Sequence, residues 1–212
     1  MKHVLLFLLI GILSTATAAD FTNYTADNSG LTSNTVNAIV IDGQGNKWFG
    51  TAQGLCVFDG ANWSTFTKTD EKQTLADDQI NDIAYEVTSY GAELWVATEN
   101  GITVVNIDDI DAMSWATPYR SDSLDMISDT ITSVTVDTAR HERWFGTPIG
   151  LTMFNGGVWF NYTTETEPSL AHDNVSAIGV DYTEGWKYVC TTGHEDYAIS
   201  RLRTTVDGVT SA

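Results

Sequence analysis

One feature constrains this chain more than any other: it repeats itself. Residues 31 to 67 read LTSNTVNAIVIDGQGNKWFGTAQGLCVFDGANWSTFT, and residues 127 to 163 read ISDTITSVTVDTARHERWFGTPIGLTMFNGGVWFNYT. Trp48 precedes Gly54 by six residues and Trp63 by fifteen; Trp144 precedes Gly150 by six and Trp159 by fifteen. A third copy lies between them, with Leu75, Ile80, Trp95-Val96-Ala97-Thr98, Gly101-Ile102 and, after an insertion, Trp115. A fourth begins at Leu170 and carries Val175, Asp181, Tyr188-Val189-Cys190-Thr191 and Gly193, with Tyr188 where the others have Trp. The threonine anchors 51, 98, 147 and 191 are 47, 49 and 44 residues apart.

A period of 40 to 50 residues fits few architectures, helical solenoids among them. The segments arbitrate. VNAIVI, KWFGT, LCVFD and WSTFT are short, rich in β-branched and aromatic residues, and separated by Gly, Asn and Asp clusters. That is strand and turn chemistry rather than a 3.6-residue stripe. Four short strands per period make one blade of a β-propeller, and a blade has two apolar faces that only neighbouring blades cover. The expectation is an all-β fold, a propeller of four-stranded antiparallel blades. About four are present, at residues 31–67, 75–118, 127–163 and 170–205.

The run LxSNxVNAIxxDxxGNxWFGTxxGLxxFDG resembles the two-component regulator propeller repeat, found in periplasmic sensor regions of bacterial hybrid histidine kinases and in secreted relatives. The resemblance covers nearly everything after residue 20. It is strong in the first and third repeats, fair in the second and partial in the fourth. It implies an extracytoplasmic sensing propeller in which ligand binding changes propeller packing or dimerisation and so reaches a cytoplasmic kinase. No kinase, phosphoacceptor domain or membrane relay lies in these residues, and propellers host many activities.

Residues 1–19 read as a signal peptide: Lys2 and His3, an apolar run from Val4 to Leu13, then small residues with cleavage near Ala18 or Ala19. The propeller domain is then 20–212, and the expected location is periplasmic or secreted. The formal charge of -18 argues against nucleic acid and anionic lipid as partners. Phe21 to Thr25, FTNYT, matches WSTFT and WFNYT, the last strands of their repeats. A last strand therefore comes first in the domain. The tail after Arg203 has no Trp-x-x-aromatic strand. Two readings follow: residues 21–25 complete the fourth blade of a closed four-bladed ring, or the chain is part of a larger propeller with further blades and a kinase region beyond.

Candidate chemistry is sparse. Asp42 to Asn46 reads as a glycine turn, because it lacks the alternating ligands of a calcium loop. Asp108, Asp109 and Asp111 read as a solvated insertion loop. The recurring threonines are expected to hold loops through their hydroxyls. Cys56 and Cys190 read as small core residues without a bridge. His141 and His172 read as surface histidines, and Trp186 alone falls outside the repeat positions. No nucleophile elbow, phosphate loop or HExxH occurs, so no catalytic residue, metal or cofactor is assigned. The best binding guess is the mouth of the central channel. There, loops leading into the innermost strands and loops between second and third strands contribute Asn34, Gln53, Asp78, Glu99, Asp129, Asp173, Asn174 and His194. The expected partner is a small molecule, a glycan or a protein. The competing functions are a secreted enzyme acting on polysaccharide, as lyase or hydrolase, and a scaffold or adhesion module.

Overall fold

Residues 20–69, 75–122, 124–193, 196–205 and 208–211 are described by a computed structural model. Residues 1–19, where the signal peptide is expected, lie outside them. The repeats become four antiparallel sheets with strands in chain order. The first blade comprises β1 (Val36–Ile41), β2 (Lys47–Thr51), β3 (Gly54–Phe58) and β4 (Trp63–Phe66). The second comprises β5 (Ile80–Thr88), β6 (Gly91–Thr98), β7 (Gly101–Asn106) and β8 (Ser114–Trp115). The third comprises β9 (Ser133–Asp137), β10 (Glu142–Thr147), β11 (Gly150–Phe154) and β12 (Trp159–Tyr162). The fourth comprises β13 (Asn174–Val180), β14 (Lys187–Thr192), β15 (Tyr197–Thr205) and β16 (Gly208–Ser211).

Alternation along the strands gives each sheet two faces. The anchor tryptophan of one blade points at the next, and the residue after it points at the blade before. Trp48, Leu55 and Val57 of the first blade pack with Leu94 and Val96 of the second. Trp95 and Ala97 pack with Phe145 and Val134 of the third. Trp144 and Leu151 pack with Val189 and Leu202 of the fourth. The glycine of WFGT follows from this contact. A Cβ on Gly50 would lie 2.6 Å from the Ile80 Cγ2 methyl, and one on Gly146 would lie 2.6 Å from the Val175 Cγ1 methyl.

Each buried indole N–H meets a carboxylate of its own blade, as a buried donor must find an acceptor. Trp48 donates to Asp42 at 3.0 Å, Trp95 to Glu86 at 2.7 Å and Trp144 to Glu142 at 3.1 Å. The following blade can add a cation. Arg143 reaches back to Glu86 at 2.6 Å, and Lys187 reaches Asp137 at 2.9 Å and also Glu142. Burial pushes the Asp137 carboxyl up, but the Lys187 ammonium and Arg140 outweigh it and hold it below the usual carboxylate range.

The threonine anchors do hold loops. Thr51, Thr98 and Thr147 each donate to the carbonyl three residues on, at 2.9, 2.7 and 2.8 Å, and Thr191 donates to Ala198. Both cysteines are free, Cys56 buried and Cys190 only half-buried. The core expectation for Cys190 is thus corrected: no further blade covers its face of β14 among the described residues. Trp186 is not bare, because Arg201 and Arg203 stack over its ring at 4.1 and 4.7 Å.

Ring closure is where the structure decides between the two readings. β1 packs on β5, β5 on β9 and β9 on β13, but the fourth blade has no comparable packing against the first among the described residues. Contrary to the reading of the tail, β16 pairs with β15 from Leu202 to Thr205, so the fourth blade has a last strand from its own chain. The blades form an open arc, and the closed four-bladed ring is not observed.

Two substitutions test these interfaces by denaturant unfolding. Lys187→Met leaves Glu142 buried without a cation and Asp137 with Arg140 alone, and is expected to cost about 3–5 kcal/mol. Gly50→Val drives methyl groups into Ile80 and Ile83 and is expected to cost roughly 1–3 kcal/mol.

Candidate ligand-binding site

Asn34, Asp78, Asp129 and Asp173 occupy one position, just before the innermost strand of each blade. Each uses a side-chain oxygen in the same way. Asn34 accepts the Ala26 N–H at 2.8 Å, Asp78 that of Lys68 at 2.7 Å, Asp129 that of Ser121 at 2.6 Å and Asp173 that of Thr164 at 2.7 Å. Every donor lies two residues past an aromatic: Tyr24, Phe66, Tyr119 or Tyr162. These side chains pin the connection that leaves one blade to the start of the next.

The loops between second and third strands come up beside them. Gly54 donates its N–H to the Asp78 carbonyl and Gly101 to that of Asp129, both at 2.8 Å. Gln53 and Glu99 at the tips of these loops are exposed. Glu99 Oε1 accepts Asn81 Nδ2 at 2.9 Å, and the Glu99 carbonyl accepts the Thr130 hydroxyl. The fold therefore brings Gln53 beside Asp78, and Glu99 beside Asp129. Asn174 opens β13 with an exposed side chain. His194 lies outside the described residues.

A second row of polar groups went unnoticed in the sequence. Asn37, Asn81 and Ser176 sit at register shifts in β1, β5 and β13, where a β-bulge re-aims a side chain. Asn37 donates to the Ile80 carbonyl at 2.7 Å, Asn81 to Ile131 at 2.9 Å and Thr132 to Val175 at 2.6 Å. Each bond joins one innermost strand to the next blade. Ser176 instead donates to Cys190 within its own blade. The signal was present in VNAI, INDI, ITSV and VSAI, each with a polar residue in second place. It was masked because a lone polar residue in an alternating strand reads as a solvent-facing one.

The mouth is thus an acceptor-rich surface. Asp78 and Asp129 each use one carboxylate oxygen to hold a loop, whereas Asp173 uses both, its Oδ2 accepting the Thr164 hydroxyl at 3.2 Å. Beneath the mouth, Asp82 accepts the N–H of Val134 and of Ile83, both at 2.9 Å. Burial raises its pKa above the usual carboxylate value despite those bonds. Open cavities elsewhere among the described residues include one of about 280 Å³ beside Leu170 and Ile199–Leu202, one of about 230 Å³ between Asp42–Gln44 and Tyr85, and one of about 460 Å³ beside Ser121 and Trp159. Among the described residues no three His, Cys, Asp or Glu side chains converge as a metal site requires, and no helix is long and apolar enough to cross a membrane.

Asp82 gives a signed pH dependence. Its carboxyl is easier to protonate in the folded chain, so ionisation costs stability at neutral pH and the cost disappears as pH falls through the folded and then the unfolded value. Asp82→Asn, whose Oδ1 can keep the Val134 bond, is expected to raise Tm at pH 7. The gain should shrink on acidification and vanish below the unfolded-state carboxylate pKa, as read in thermal melts across pH.

No family model and no curated protein matches the sequence. Solved structures do match. The extracellular domain described as that of a hybrid two component system, BT3049 from B. thetaiotaomicron, aligns with TM-score 0.69 and 21% identity over 90% of this chain and 26% of that one. The extracellular domain of BT4673 from the same organism, described as a one component system in one structure and a hybrid two component system in another, gives TM-score 0.60 and 18% identity over 86% of this chain and 22% of that one. PorZ of Porphyromonas gingivalis, described as a surface component of the type-IX secretion system, gives TM-score 0.55 and 19% identity over 88% and 28%. The chain spans about a quarter of each of these proteins. Its four sheets have the blade architecture of these extracellular β-propeller domains.

Proposed function

We propose that this chain is a noncatalytic, extracytoplasmic propeller that recognises a ligand or partner at its channel mouth, as the sensing region of a signal-transduction protein or a secreted relative does. The observation that carries the reading is the agreement of two things. The WFGT–GL–FDG repeat resembles that of periplasmic sensors, and the blades superimpose on extracellular domains described as belonging to two component systems. The signal-peptide reading of residues 1–19 points to the same compartment.

The chemistry of the side chains favours recognition over catalysis. Glu86, Glu142, Asp137 and Asp42 bind indole N–H groups or buried cations between or within blades. Asp78, Asp129 and Asp173 hold connections. None is presented as a free acid beside a free base, as glycoside hydrolysis requires. Gln53, Glu99 and Asn174 are the exposed groups around which a ligand rich in hydroxyl or amino donors would be oriented. They do so as part of a larger mouth if further blades extend the arc.

The reading is tested by screening the purified chain against oligosaccharides, amino compounds and peptides by calorimetry. A binder whose affinity falls about tenfold, roughly 1.4 kcal/mol, on Glu99→Ala and Gln53→Ala supports it. Turnover of a polysaccharide that is abolished by removing one carboxylate would replace it with the enzyme reading. Binding only to a protein, unaffected by these substitutions, would replace it with the scaffold reading.

A further inference from the structure

The chain contains two Asn-Gly pairs, Asn100-Gly101 and Asn155-Gly156, and the fold treats them differently. Both asparagines are exposed. Gly101 donates its N–H to the Asp129 carbonyl at 2.8 Å. Asn100 donates its own N–H to the Thr98 hydroxyl at 3.1 Å, and its carbonyl accepts Arg120 Nε at 3.0 Å. The first pair is thus clamped between the second blade and the connection that leaves it.

The second pair lies in the turn between β11 and β12. There Asn155 donates its N–H to the Val158 carbonyl at 3.3 Å. Neither its side-chain amide nor the Gly156 N–H is hydrogen-bonded among the described residues. Gly156 has a φ of 88°, and a Cβ placed on it would meet nothing within 4 Å, so the turn stands in open space. We propose that Asn155 is a site of self-modification, at which the Gly156 nitrogen attacks the side-chain amide and converts it to a carboxylate. Asn100, with the same following residue and similar exposure, is protected by its clamp.

The step needs no partner but water. The Gly156 N–H gives its proton to solvent base, the nitrogen forms a bond to Asn155 Cγ, and the Cγ–Nδ2 bond breaks to release ammonia. The product is a five-membered succinimide. Water then adds to one of its two carbonyls. Opening at Cγ restores the main chain and leaves an aspartate at position 155. Opening at the main-chain carbonyl leaves an isoaspartate, whose backbone runs through Cγ and is one methylene longer. Two conditions govern ring closure. The following residue must not crowd the attacking nitrogen, and glycine, without a Cβ, meets that at both sites. The nitrogen must also be free to swing onto Cγ, since the reacting atoms must first be brought together. Gly156 meets the second condition, whereas Gly101 must first leave Asp129.

The first blade shows what the aspartate product resembles. Asp59-Gly60 occupies the same turn, with the Asp59 N–H on the Asn62 carbonyl at 3.2 Å and a glycine φ of 106°. Asp59 Oδ1 accepts the N–H of Ala61 and of Asn62, at 2.7 and 2.6 Å. The corresponding N–H groups of the third blade, on Gly157 and Val158, make no hydrogen bond among the described residues. A carboxylate at position 155 supplies the charged acceptor that both lack, and charge-assisted bonds are the stronger kind. It also takes the formal charge from -18 to -19, beside the cavity lined by Gly157, Trp159, Asp122 and Asp125. Loss of ammonia makes the change irreversible, so converted chains accumulate with the age of the protein.

The test is peptide mapping by tandem mass spectrometry after the purified chain has stood in mildly alkaline buffer, folded and in denaturant. In the folded chain, conversion at Asn155 is expected to run roughly tenfold or more faster than at Asn100, because attack at Asn100 must first break hydrogen bonds. In denaturant the two sites should convert at similar rates, and Asn155→Gln should leave its position unmodified in both states. A rate at Asn100 equal to or above that at Asn155 in the folded chain overturns the proposal. So does an unchanged Asn155 over a time in which the denatured chain converts. The effect on the turn is read separately in Asn155→Asp, where hydrogen exchange at the Gly157 and Val158 N–H groups is expected to slow. Unchanged exchange there overturns the likeness to the Asp59 turn.

Discussion

Everything in this molecule depends on one contact, the anchor aromatic of a blade lying under the innermost strands of the next. A single four-stranded sheet has two apolar faces and cannot bury both, so the blades exist only as neighbours. Each anchor Trp takes on the order of 200 Å² out of water, an upper estimate of about 5 kcal/mol. That exceeds the net worth of any ion pair beside it, since desolvation cancels most of the Coulomb gain of a buried pair. The charged residues therefore do a different job. Once the indole is buried its N–H must have an acceptor, and once a carboxylate is buried to accept it, a cation is welcome. The first junction manages with Asp42 alone, the second adds Arg143 and the third adds Lys187. The same packing event recurs with three different electrostatic solutions.

The WFGT glycine belongs to the same logic. Gly50 and Gly146 leave room for Ile80 and Val175 of the following blade. The second blade manages with Ala97, and the fourth carries Cys190, which meets no following blade. Residue size at this position thus tracks whether a neighbour presses on it. The exposure of Tyr188 and Ile39 tracks it too. An open arc leaves its first and last faces with residues whose types were set by a contact the arc itself does not make.

For function, the consequence is that most of the acidic surface is committed to architecture. The carboxylates that look most suggestive in a strongly acidic chain tie loops at the mouth or indoles between blades. The groups proposed for recognition are a small set of exposed polar side chains, Gln53 and Glu99 on loops that a rigid scaffold positions and Asn174 at the start of β13. The fold permits many activities, so the functional reading rests on the mouth and on the likeness to extracellular domains rather than on the blades.

The sequence by itself determined the blades: their number, all their strands but the last of the fourth blade, the anchor positions, and the loop-holding role of Thr51, Thr98, Thr147 and Thr191. Those are local or periodic properties, and a repeat writes them several times. It also placed Asn34, Asp78, Asp129 and Asp173 at one level of the fold, but could not say that each would be engaged by a backbone N–H from the incoming connection. That bond spans eight to ten residues whose path no pattern specifies. Only the tertiary structure decided which way each face points, why Cys190 is half-open while Cys56 is buried, and that the ring does not close on four blades. Closure depends on the angle between successive blades, which is set by side-chain packing at three interfaces at once and leaves no periodic trace in the chain.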